Sequence, residues 1–218
     1  MIAEGRVTVN DTAVTKPGVV VDPDKDAVKV DGTAVAPVTE KVYVVLNKPR
    51  HVMTTLHDPF KRKTVVAYLG SLGHRVYPVG RLDYDTQGVL ILTNDGDLAY
   101  RLAHPRYEAK KIYEARVIGS FSAEAAKAIK KGVKLDDDHI GHASVDILQY
   151  GDHWSRIRVT MTEGRKREVK QLCKIVGYPV LRLKRVEFAG ITAKALALGK
   201  WRQLTKREVE QLKAMVGL

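Results

Sequence analysis

The sequence predicts an α+β fold with a mixed, largely antiparallel sheet flanked by helices. Segments 143–150 and 154–161 alternate apolar and polar residues and are joined by Gly151-Asp152, a combination typical of a β-hairpin. Candidate helices are scattered irregularly among the strands, whereas a parallel α/β sheet would show a helix after each strand. No internal repeat is present in the sequence.

Short apolar or alternating segments predict the remaining strands. In the first forty residues they lie at 6–10, 19–21 and 27–30, and turn sequences such as Lys16-Pro-Gly18 and Asp31-Gly32 separate them. Further along the chain they lie at 42–46, 77–80, 89–93, 110–118 and 180–188.

Residues suited to helix ends predict two of the helices. Ser122 can cap a helix over 122–131, and Gly132 can end it. Thr205 and Glu208 form a capping-box sequence that opens a last helix, which we expect to run to about residue 216.

Two further helices are predicted at 97–103, before His104-Pro105, and at 167–176. The second has an apolar face at i, i+3, i+4 and i+7, made of Val169, Leu172, Cys173 and Val176. We therefore expect Cys173 to be a structural residue of the core.

The charge of the chain predicts a polyanionic partner. Its 218 residues include 37 Lys and Arg against 25 Asp and Glu, a net charge of +12, which suits nucleic acid better than an anionic membrane. Residues 1–40 hold four basic and seven acidic residues, a net charge of −3, so residues 41–218 carry +15. The polyanion is therefore expected to bind the larger, C-terminal part.

Composition also bears on location and domain number. Cys173 is the only cysteine, which excludes a disulfide framework and a cysteine-based zinc site and indicates a reducing compartment. No apolar run reaches the roughly 18 residues of a membrane span, and no export signal is recognisable. We expect a cytoplasmic protein with no membrane partner and two domains, residues 1–38 and 39–218, joined by a linker near 33–40.

The first candidate for chemistry is a polar loop between two apolar strands, Gly80-Arg-Leu-Asp-Tyr-Asp-Thr-Gln-Gly88. Loops held by rigid strands are where catalytic groups concentrate. Asp83 and Asp85 lie two residues apart in it. A single aspartate there is more often a turn former or helix cap, and a carboxylate pair also suits glycoside hydrolysis, so the residues alone leave these interpretations open.

The second candidate is the segment 165–185, which holds eight basic residues against one acid, Glu168. Lys166, Lys170 and Lys174 are expected on one helix face at i, i+4 spacing, where like charges repel. Phosphates or a partner carboxylate would offset this repulsion, although a solvated helix face would also account for a run of charges.

A third segment, Asp136-Asp-Asp-His139 with His142 nearby, offers residue types that bind metals. Its position after Gly132 and between two predicted strands favours an acidic turn. We therefore predict no metal site.

Taken in order, five motifs resemble those of the rRNA pseudouridine synthases of the RsuA/RluB type. They are Gly80-Arg-Leu-Asp83, Thr86-Gln-Gly-Val-Leu-Ile-Leu-Thr-Asn-Asp-Gly96, Lys111-Ile-Tyr113, Glu163-Gly-Arg-Lys-Arg-Glu-Val-Lys170 and Gly177-Tyr-Pro-Val-Leu-Arg-Leu-Lys-Arg185. The resemblance covers roughly residues 43 to 204, and the motifs are specific as a set rather than singly.

The resemblance implies an isomerase that breaks the glycosidic bond of a uridine, turns the base and rejoins it through carbon, with no cofactor and no metal. It implies that Asp83 is the catalytic carboxylate, Lys170 its ion-pair partner and Tyr113 the active-site tyrosine. A base-binding pocket is apolar and favours a neutral acid, so a fixed cation is needed to keep Asp83 ionised. A tyrosine ring offers the extruded base a stacking face.

Other basic residues are expected to bind the RNA substrate through phosphates, which position RNA without specifying its sequence. These residues are Arg81, Arg165, Lys166, Arg167, Lys174 and Arg185. The implied partner is ribosomal RNA or a pre-ribosomal particle, and we expect a monomer.

The segment Gly164-Arg-Lys-Arg-Glu-Val-Lys170 resembles the large-subunit branch of this family more than the small-subunit branch, which implies 23S rather than 16S rRNA as the target. Two alternatives belong to other classes of protein. A non-catalytic, rRNA-binding ribosome-assembly protein would explain the charge but not the combination of Asp83, Lys170 and Tyr113. A glycosidase would not explain the basic helix.

The first residues of the chain also resemble part of a known module. Ile2–Asn10, with Pro17-Gly18 and Val30-Asp31-Gly32, are similar to the latter half of the small ribosomal-protein-type (S-four type) RNA-binding module that precedes this catalytic domain. The basic helical half of that module is missing from the sequence. Because residues 1–40 are acidic, we expect this partial module to bind RNA weakly.

Overall fold

A computed structural model of the chain describes residues 1–22, 25–35, 40–70 and 72–218. The chain forms two compact units, Met1–Lys41 and Val42–Leu218. Residues 36–39 of the predicted linker lie outside the described residues, and so does the boundary predicted between residues 38 and 39.

The first unit is a four-stranded antiparallel sheet in the order β2–β1–β3–β4. Its strands are β1 (Val7–Val9), β2 (Thr12–Val14), β3 (Val28–Val30) and β4 (Thr33–Ala34). The strand predicted at 19–21 is wrong, because these residues form no regular structure and Val20 is 94% exposed. An apolar run forms a strand only where a neighbouring strand can pair with it, and here β2, which was not predicted, pairs with β1.

The second unit is built on a nine-stranded sheet, in which seven strands follow the order β11–β12–β8–β13–β7–β5–β15, while β6 pairs with β7 and β14 pairs with β13. Its strands are β5 (Tyr43–Lys48), β6 (Tyr77–Pro78), β7 (Gln87–Thr93), β8 (Lys111–Ile118), β11 (Ser144–Gly151), β12 (Trp154–Met161), β13 (Val180–Phe188), β14 (Ile191–Thr192) and β15 (Trp201–Gln203). Among these described strands, only β7 and β13 pair in parallel. The predicted α+β fold with a mixed, largely antiparallel sheet is confirmed.

Four α-helices flank this sheet. They are α1 (Gly96–Ala103), α2 (Ala123–Lys131), α3 (Glu168–Ile175) and α4 (Lys206–Met215). The side chains of Asp95, Ser122 and Thr205 cap α1, α2 and α4, and the Thr205–Glu208 capping box is present as predicted. Short 3-10 helices lie at Ile2–Glu4, Val65–Tyr68 and Pro105–Tyr107.

The start of α3 differs from the prediction. Arg167, immediately before the helix, has a φ of +56°, a left-handed conformation that cannot continue an α-helix. Lys166 therefore lies outside α3, and the predicted helix face of Lys166, Lys170 and Lys174 does not form. The predicted apolar face does form, since Val169, Leu172 and Cys173 are buried.

The core lies on both faces of the large sheet. One face, with Leu46, Leu90 and Tyr113, packs against residues of α2 and α3. The other face, with Val45 and Ile91, packs against residues of α1 and α4. Burial raises the pKa of the Cys173 thiol to about 12, which keeps it protonated and inert within this core.

A second, two-stranded sheet consists of β9 (Val133–Lys134) and β10 (Ile140–Gly141). The acidic sequence from Asp136 lies in the turn between these strands. In the part of the chain that the structure describes, no helix is long and apolar enough to cross a membrane.

Candidate active site

The polar loop 80–86 lies between β6 and β7, at the point where the two halves of the large sheet meet. There β7 and β13 pair in parallel, with Gln87 opposite Lys184 and Gly88 opposite Arg185. Gly88 has a φ of +113°, and a Cβ atom on it would lie 2.1 Å from the Arg185 carbonyl oxygen. Only glycine permits this close approach of the two strands, which brings the loop beside β13.

A buried lysine holds the loop from the end of the neighbouring strand. Lys48 is 0% exposed, and its Nζ donates to the carbonyl oxygens of Pro49 (3.0 Å), Asp83 (3.2 Å) and Thr86 (2.9 Å). An ammonium group has three donors, and here each one reaches a carbonyl oxygen. Lys48 therefore fixes the backbone on both sides of the Asp83–Thr86 turn.

Residues after Lys48 add further contacts to the same loop. The Thr54 hydroxyl donates to the carbonyl of Leu82 (2.7 Å), and the Arg50 Nε donates to the carbonyl of Asp85 (3.2 Å). The backbone N–H of His51 donates to the carbonyl of Tyr84 (2.6 Å). The loop is thus held by its backbone, which leaves its carboxylates free to bind other groups.

Lys170 of α3 joins the two carboxylates of the loop. Its Nζ lies 3.0 Å from Oδ2 of Asp83 and 2.5 Å from Oδ1 of Asp85. The lysine side chain is 13% exposed, whereas those of Asp83 and Asp85 are 34% and 48% exposed. The structure therefore brings together the two residues that the sequence analysis paired, and it adds Asp85 as a second partner of the same ammonium.

The surroundings of Asp85 favour its ionised form. Partial burial acts to raise the pKa of Asp85, but the hydrogen bond from Lys170 and the charges of Lys170 and Arg167 outweigh it. The pKa of Asp85 is therefore lowered from its ordinary value. At neutral pH Asp85 therefore pairs with Lys170 as a carboxylate.

A pocket opens beside this ion pair, and Asp83 and Tyr113 both line it. Tyr113 is 8% exposed on β8, and the apolar side chains of Leu82, Met161 and Leu183 form other parts of the wall. A pocket that combines apolar side chains and a tyrosine ring with charged groups is suited to a nucleotide base.

Two buried cations, Lys111 and Arg185, stand in the wall of this pocket. Arg185 is 2% exposed and donates from Nε to the carbonyl of Val89 (2.8 Å), while its Nη2 has no hydrogen-bond partner among the described residues. Arg185 is therefore enclosed in the wall of the pocket and does not lie at the protein surface. Lys111 donates to the carbonyls of Ala109 and Thr162, and burial lowers its pKa to about 8.

The other predicted substrate-binding residues lie at different distances from the pocket. Arg81, Arg165 and Arg167 line it and are exposed, although the Arg165 guanidinium is bonded to Asp137 at 3.0 Å. Lys166 and Lys174 are exposed outside the lining. The structure thus brings three of the six residues to the mouth of the pocket and a fourth, Arg185, into its wall.

A cluster of titratable groups lies beside the pocket. His139, Glu163 and Glu168 place their ligand-type atoms within 4.8 Å of one another, but Asp136–Asp138 and His142 do not belong to this group. His139 Nε2 lies 2.9 Å from Glu163, and Arg165 Nε lies 3.8 Å from the same carboxylate. Arg165 and Lys111 supply positive charges beside these carboxylates.

Sequence reasoning missed four of the residues that shape this site. They are Lys48, Asp85 as a partner of Lys170, Lys111 and the buried Glu168. Burial raises the pKa of Glu168 although the Arg165 backbone N–H donates to it. A lysine two residues after the apolar run 42–46 was a usable signal for Lys48, because a lysine ending a buried strand needs buried acceptors.

Comparisons with known proteins agree with this architecture. A model of the RNA pseudouridylate synthase family matches residues 42–174. An uncharacterised RNA pseudouridine synthase of Aquifex aeolicus is 43% identical over 100% of this chain and 88% of its own length. The ribosomal large subunit pseudouridine synthase B of Bacillus subtilis is 39% identical over 99% of this chain and 88% of its own length.

A solved structure agrees as well. The crystal structure of a pseudouridylate synthase matches with a TM-score of 0.75 and 26% identity, covering 97% of this chain and 90% of that one. The family model, the two relatives and the solved structure agree on one class of protein, an enzyme that modifies uridine in RNA. The chain belongs to the RNA pseudouridylate synthase family, and its reaction is the isomerisation of uridine to pseudouridine.

Proposed function

We propose that the protein converts a uridine of ribosomal RNA to pseudouridine, with the large-subunit rRNA as its target. The target is supported by the relative from Bacillus subtilis, whose name assigns it to the large ribosomal subunit and which is 39% identical over 99% of this chain. We place the protein in the cytoplasm and expect it to act as a monomer on rRNA or a pre-ribosomal particle.

Asp83 is the catalytic carboxylate in this proposal. The observation that carries this assignment is its ion pair with Lys170, 3.0 Å long, at the side of a pocket that Tyr113 also lines. The reaction breaks the bond between N1 and the ribose C1′ and forms one between C5 and C1′. Attack on the sugar, attack on the base and removal of a sugar proton each need an ionised Asp83, and Lys170 stabilises that form.

Tyr113 and the buried cations have separate roles. The ring of Tyr113 forms a face against which the extruded base stacks, and base–aromatic stacking is worth about 1–3 kcal/mol per base. The guanidinium of Arg185, enclosed in the pocket wall, provides a positive charge beside the base. Arg81 and Arg167 lie at the mouth, where they bind phosphates that flank the extruded nucleotide.

The test is release of tritium from transcripts labelled at C5 of uridine, because C5 loses its hydrogen when it bonds to C1′. We expect release from large-subunit rRNA and none from small-subunit rRNA. Mapping pseudouridine in rRNA of cells that lack the protein then identifies the position. Release from the small-subunit transcript alone would move the target to that subunit, and release from neither would overturn the rRNA proposal.

A further inference from the structure

The large sheet carries a second charged surface, on the face opposite the catalytic pocket. Along β8 the residues Lys111, Tyr113, Ala115 and Val117 are buried, and Tyr113 lines the pocket. Successive side chains of a strand point to opposite faces, so Arg116 lies on the reverse face. The side chains of Arg156 on β12 and Arg182 on β13 are also exposed, and both pair directly with Arg116.

These three arginines form one row across three neighbouring strands. Arg156 lies opposite Arg116 in the β12–β8 register, and Arg182 lies opposite Arg116 in the β13–β8 register. We call Arg116, Arg156 and Arg182 the arginine row. Like charges directly opposite one another in a sheet destabilise it, so the row costs stability in the protein alone.

The next row along the same strands is balanced in charge. It runs Asp146, Arg158, Glu114 and Lys184 across β11, β12, β8 and β13, with alternating signs. Arg158 and Glu114 form an ion pair at 3.4 Å. In contrast, among the described residues no carboxylate oxygen lies within 4.0 Å of a nitrogen of the arginine row. The lack of acids is therefore a property of one row and not of the whole face.

Two neighbours of the row indicate what it binds. The Arg116 guanidinium carbon lies 4.1 Å from the ring centroid of Trp154, which precedes Arg156 by two residues and so shares its face. A groove lined by the arginine row also includes Arg50, whose Nε bonds to the carbonyl of Asp85 in the catalytic loop. Its one acid is Glu114, which already pairs with Arg158. Basic residues beside an aromatic ring, in a groove that reaches the catalytic loop, fit a nucleic-acid backbone.

We propose that the arginine row binds the phosphate backbone of the substrate RNA outside the catalytic pocket, as a second binding surface on the reverse face of the sheet. This inference rests on the proposed rRNA substrate. RNA that places one nucleotide in the pocket continues past Arg50 onto the arginine row. The phosphates then supply the negative charges that the protein does not provide there.

The experiment compares R116Q/R156Q/R182Q with K127Q/K130Q/K131Q, which removes three charges from exposed positions of α2. The probe is a full transcript of large-subunit rRNA, with dissociation constants measured at several salt concentrations. We expect the row variant to bind at least tenfold more weakly. Its slope of log affinity against log salt should be shallower by about two to three, since each lost phosphate contact removes about 0.7 to 0.9.

Three further measurements make the result specific. At saturating RNA the row variant should release tritium at a rate within about twofold of wild type, because the catalytic pocket lies on the other face. R116K/R156K/R182K keeps the charges and should bind within threefold of wild type. The melting temperature of the glutamine variant should not fall, because repulsion within the row is removed.

The proposal is overturned if the row variant binds the transcript with wild-type affinity and salt slope, or if the α2 variant loses as much affinity. It is also overturned if binding to the transcript is unchanged while binding to purified large-subunit particles is lost, because the row would then contact a ribosomal protein. Tritium release by wild type tests the rRNA target separately, so the two proposals can fail independently.

Discussion

The two compact units of the chain hold their charges in different ways. In Met1–Lys41 no described residue is buried, and ion pairs such as Arg6–Asp31 (2.6 Å) lie in solvent. In Val42–Leu218, Lys48, Lys111 and Arg185 are buried, and each bonds to backbone carbonyls. Exposed pairs are weakened by water and salt, whereas buried charges are held in one geometry. The buried and fixed charges of the second unit therefore suit the proposed active site better than the solvated pairs of the first unit.

The largest effect is expected from Asp83. We predict that Asp83→Asn abolishes tritium release while RNA affinity stays within a few-fold of wild type, because the amide keeps the shape but cannot act as a nucleophile or base. Asp85→Asn is the matched control in the same loop and bonded to the same lysine. It should keep most of the activity, since Lys170 retains Asp83. Turnover near wild type in Asp83→Asn would contradict the assignment.

Lys170 should come next. Lys170→Met removes the ammonium that bonds both carboxylates, and we expect kcat to fall on the order of 10²-fold, the loss typical of removing one preorganised charge or donor. The acidic limb of the pH–rate profile should also move to higher pH, because the variant lacks the ammonium group that favours the ionised form of Asp83. Lys170→Arg should retain more activity. An unmoved acidic limb in Lys170→Met would remove Lys170 from the site.

Lys48 tests whether a buried charge that bonds to the backbone of the loop positions the loop. Lys48→Met leaves the carbonyls of Pro49, Asp83 and Thr86 without their donor. Each carbonyl that remains buried and unpaired costs about 1–3 kcal/mol of stability. We expect kcat to fall about tenfold as the loop loosens, an order that corresponds to about 1.4 kcal/mol. Thr54→Val, which removes two hydrogen bonds with the backbone of Leu82 but no charge, is the control and should have a smaller effect. Equal losses in both variants would argue against a special role for Lys48.

The same lysine predicts a pH dependence of stability. Burial lowers the pKa of Lys48 from 10.5 to about 8, while Asp83 and Asp85 act in the opposite direction. Between about pH 8 and 10.5 the unfolded chain therefore binds more protons than the folded one, and unfolding free energy rises with pH. Denaturant unfolding of wild type should show a more positive slope than Lys48→Met across this window. Subtracting the slope of Lys48→Met from that of wild type cancels the contributions of other titrating groups. If the unfolding free energies of the two proteins ran parallel across this pH window, the lowered pKa of Lys48 would be contradicted.

The elements of the fold followed from local patterns. Alternation in 154–161 and the caps at Ser122 and Thr205 each depend on residues close together in sequence, and all three are present in the structure. The strand β2 and the start of α3 were missed. β2 forms because it pairs with β1, and α3 begins after Arg167 because that residue has a left-handed conformation. The spacing of apolar residues in the sequence indicates neither of these features.

The site was predictable where a motif carried it and not where distant contacts did. The resemblance pointed to Asp83, Tyr113 and Lys170, which lie near one pocket. The contacts of Lys48 with the loop span 35 and 38 residues of sequence. No local pattern encodes such contacts, because the strand pairing of β5 with β7 creates them. The contacts of Lys170 with Asp83 and Asp85 also join residues far apart in sequence, so no local pattern could predict that both carboxylates bind one lysine.

The smallest effect is expected from the first unit. Residues 1–40 carry a net charge of −3, and their described ion pairs already use Arg6 and Lys29. Deleting residues 1–40 should therefore change the affinity for large-subunit rRNA by less than tenfold, or about 1.4 kcal/mol, with an unchanged salt slope. The measurement needs circular dichroism to show that Val42–Leu218 remains folded. A folded deletion variant that binds more than tenfold more weakly would show that this acidic unit contacts RNA through shape or hydrogen bonds rather than charge. The two units would then differ in catalysis, but both would bind RNA.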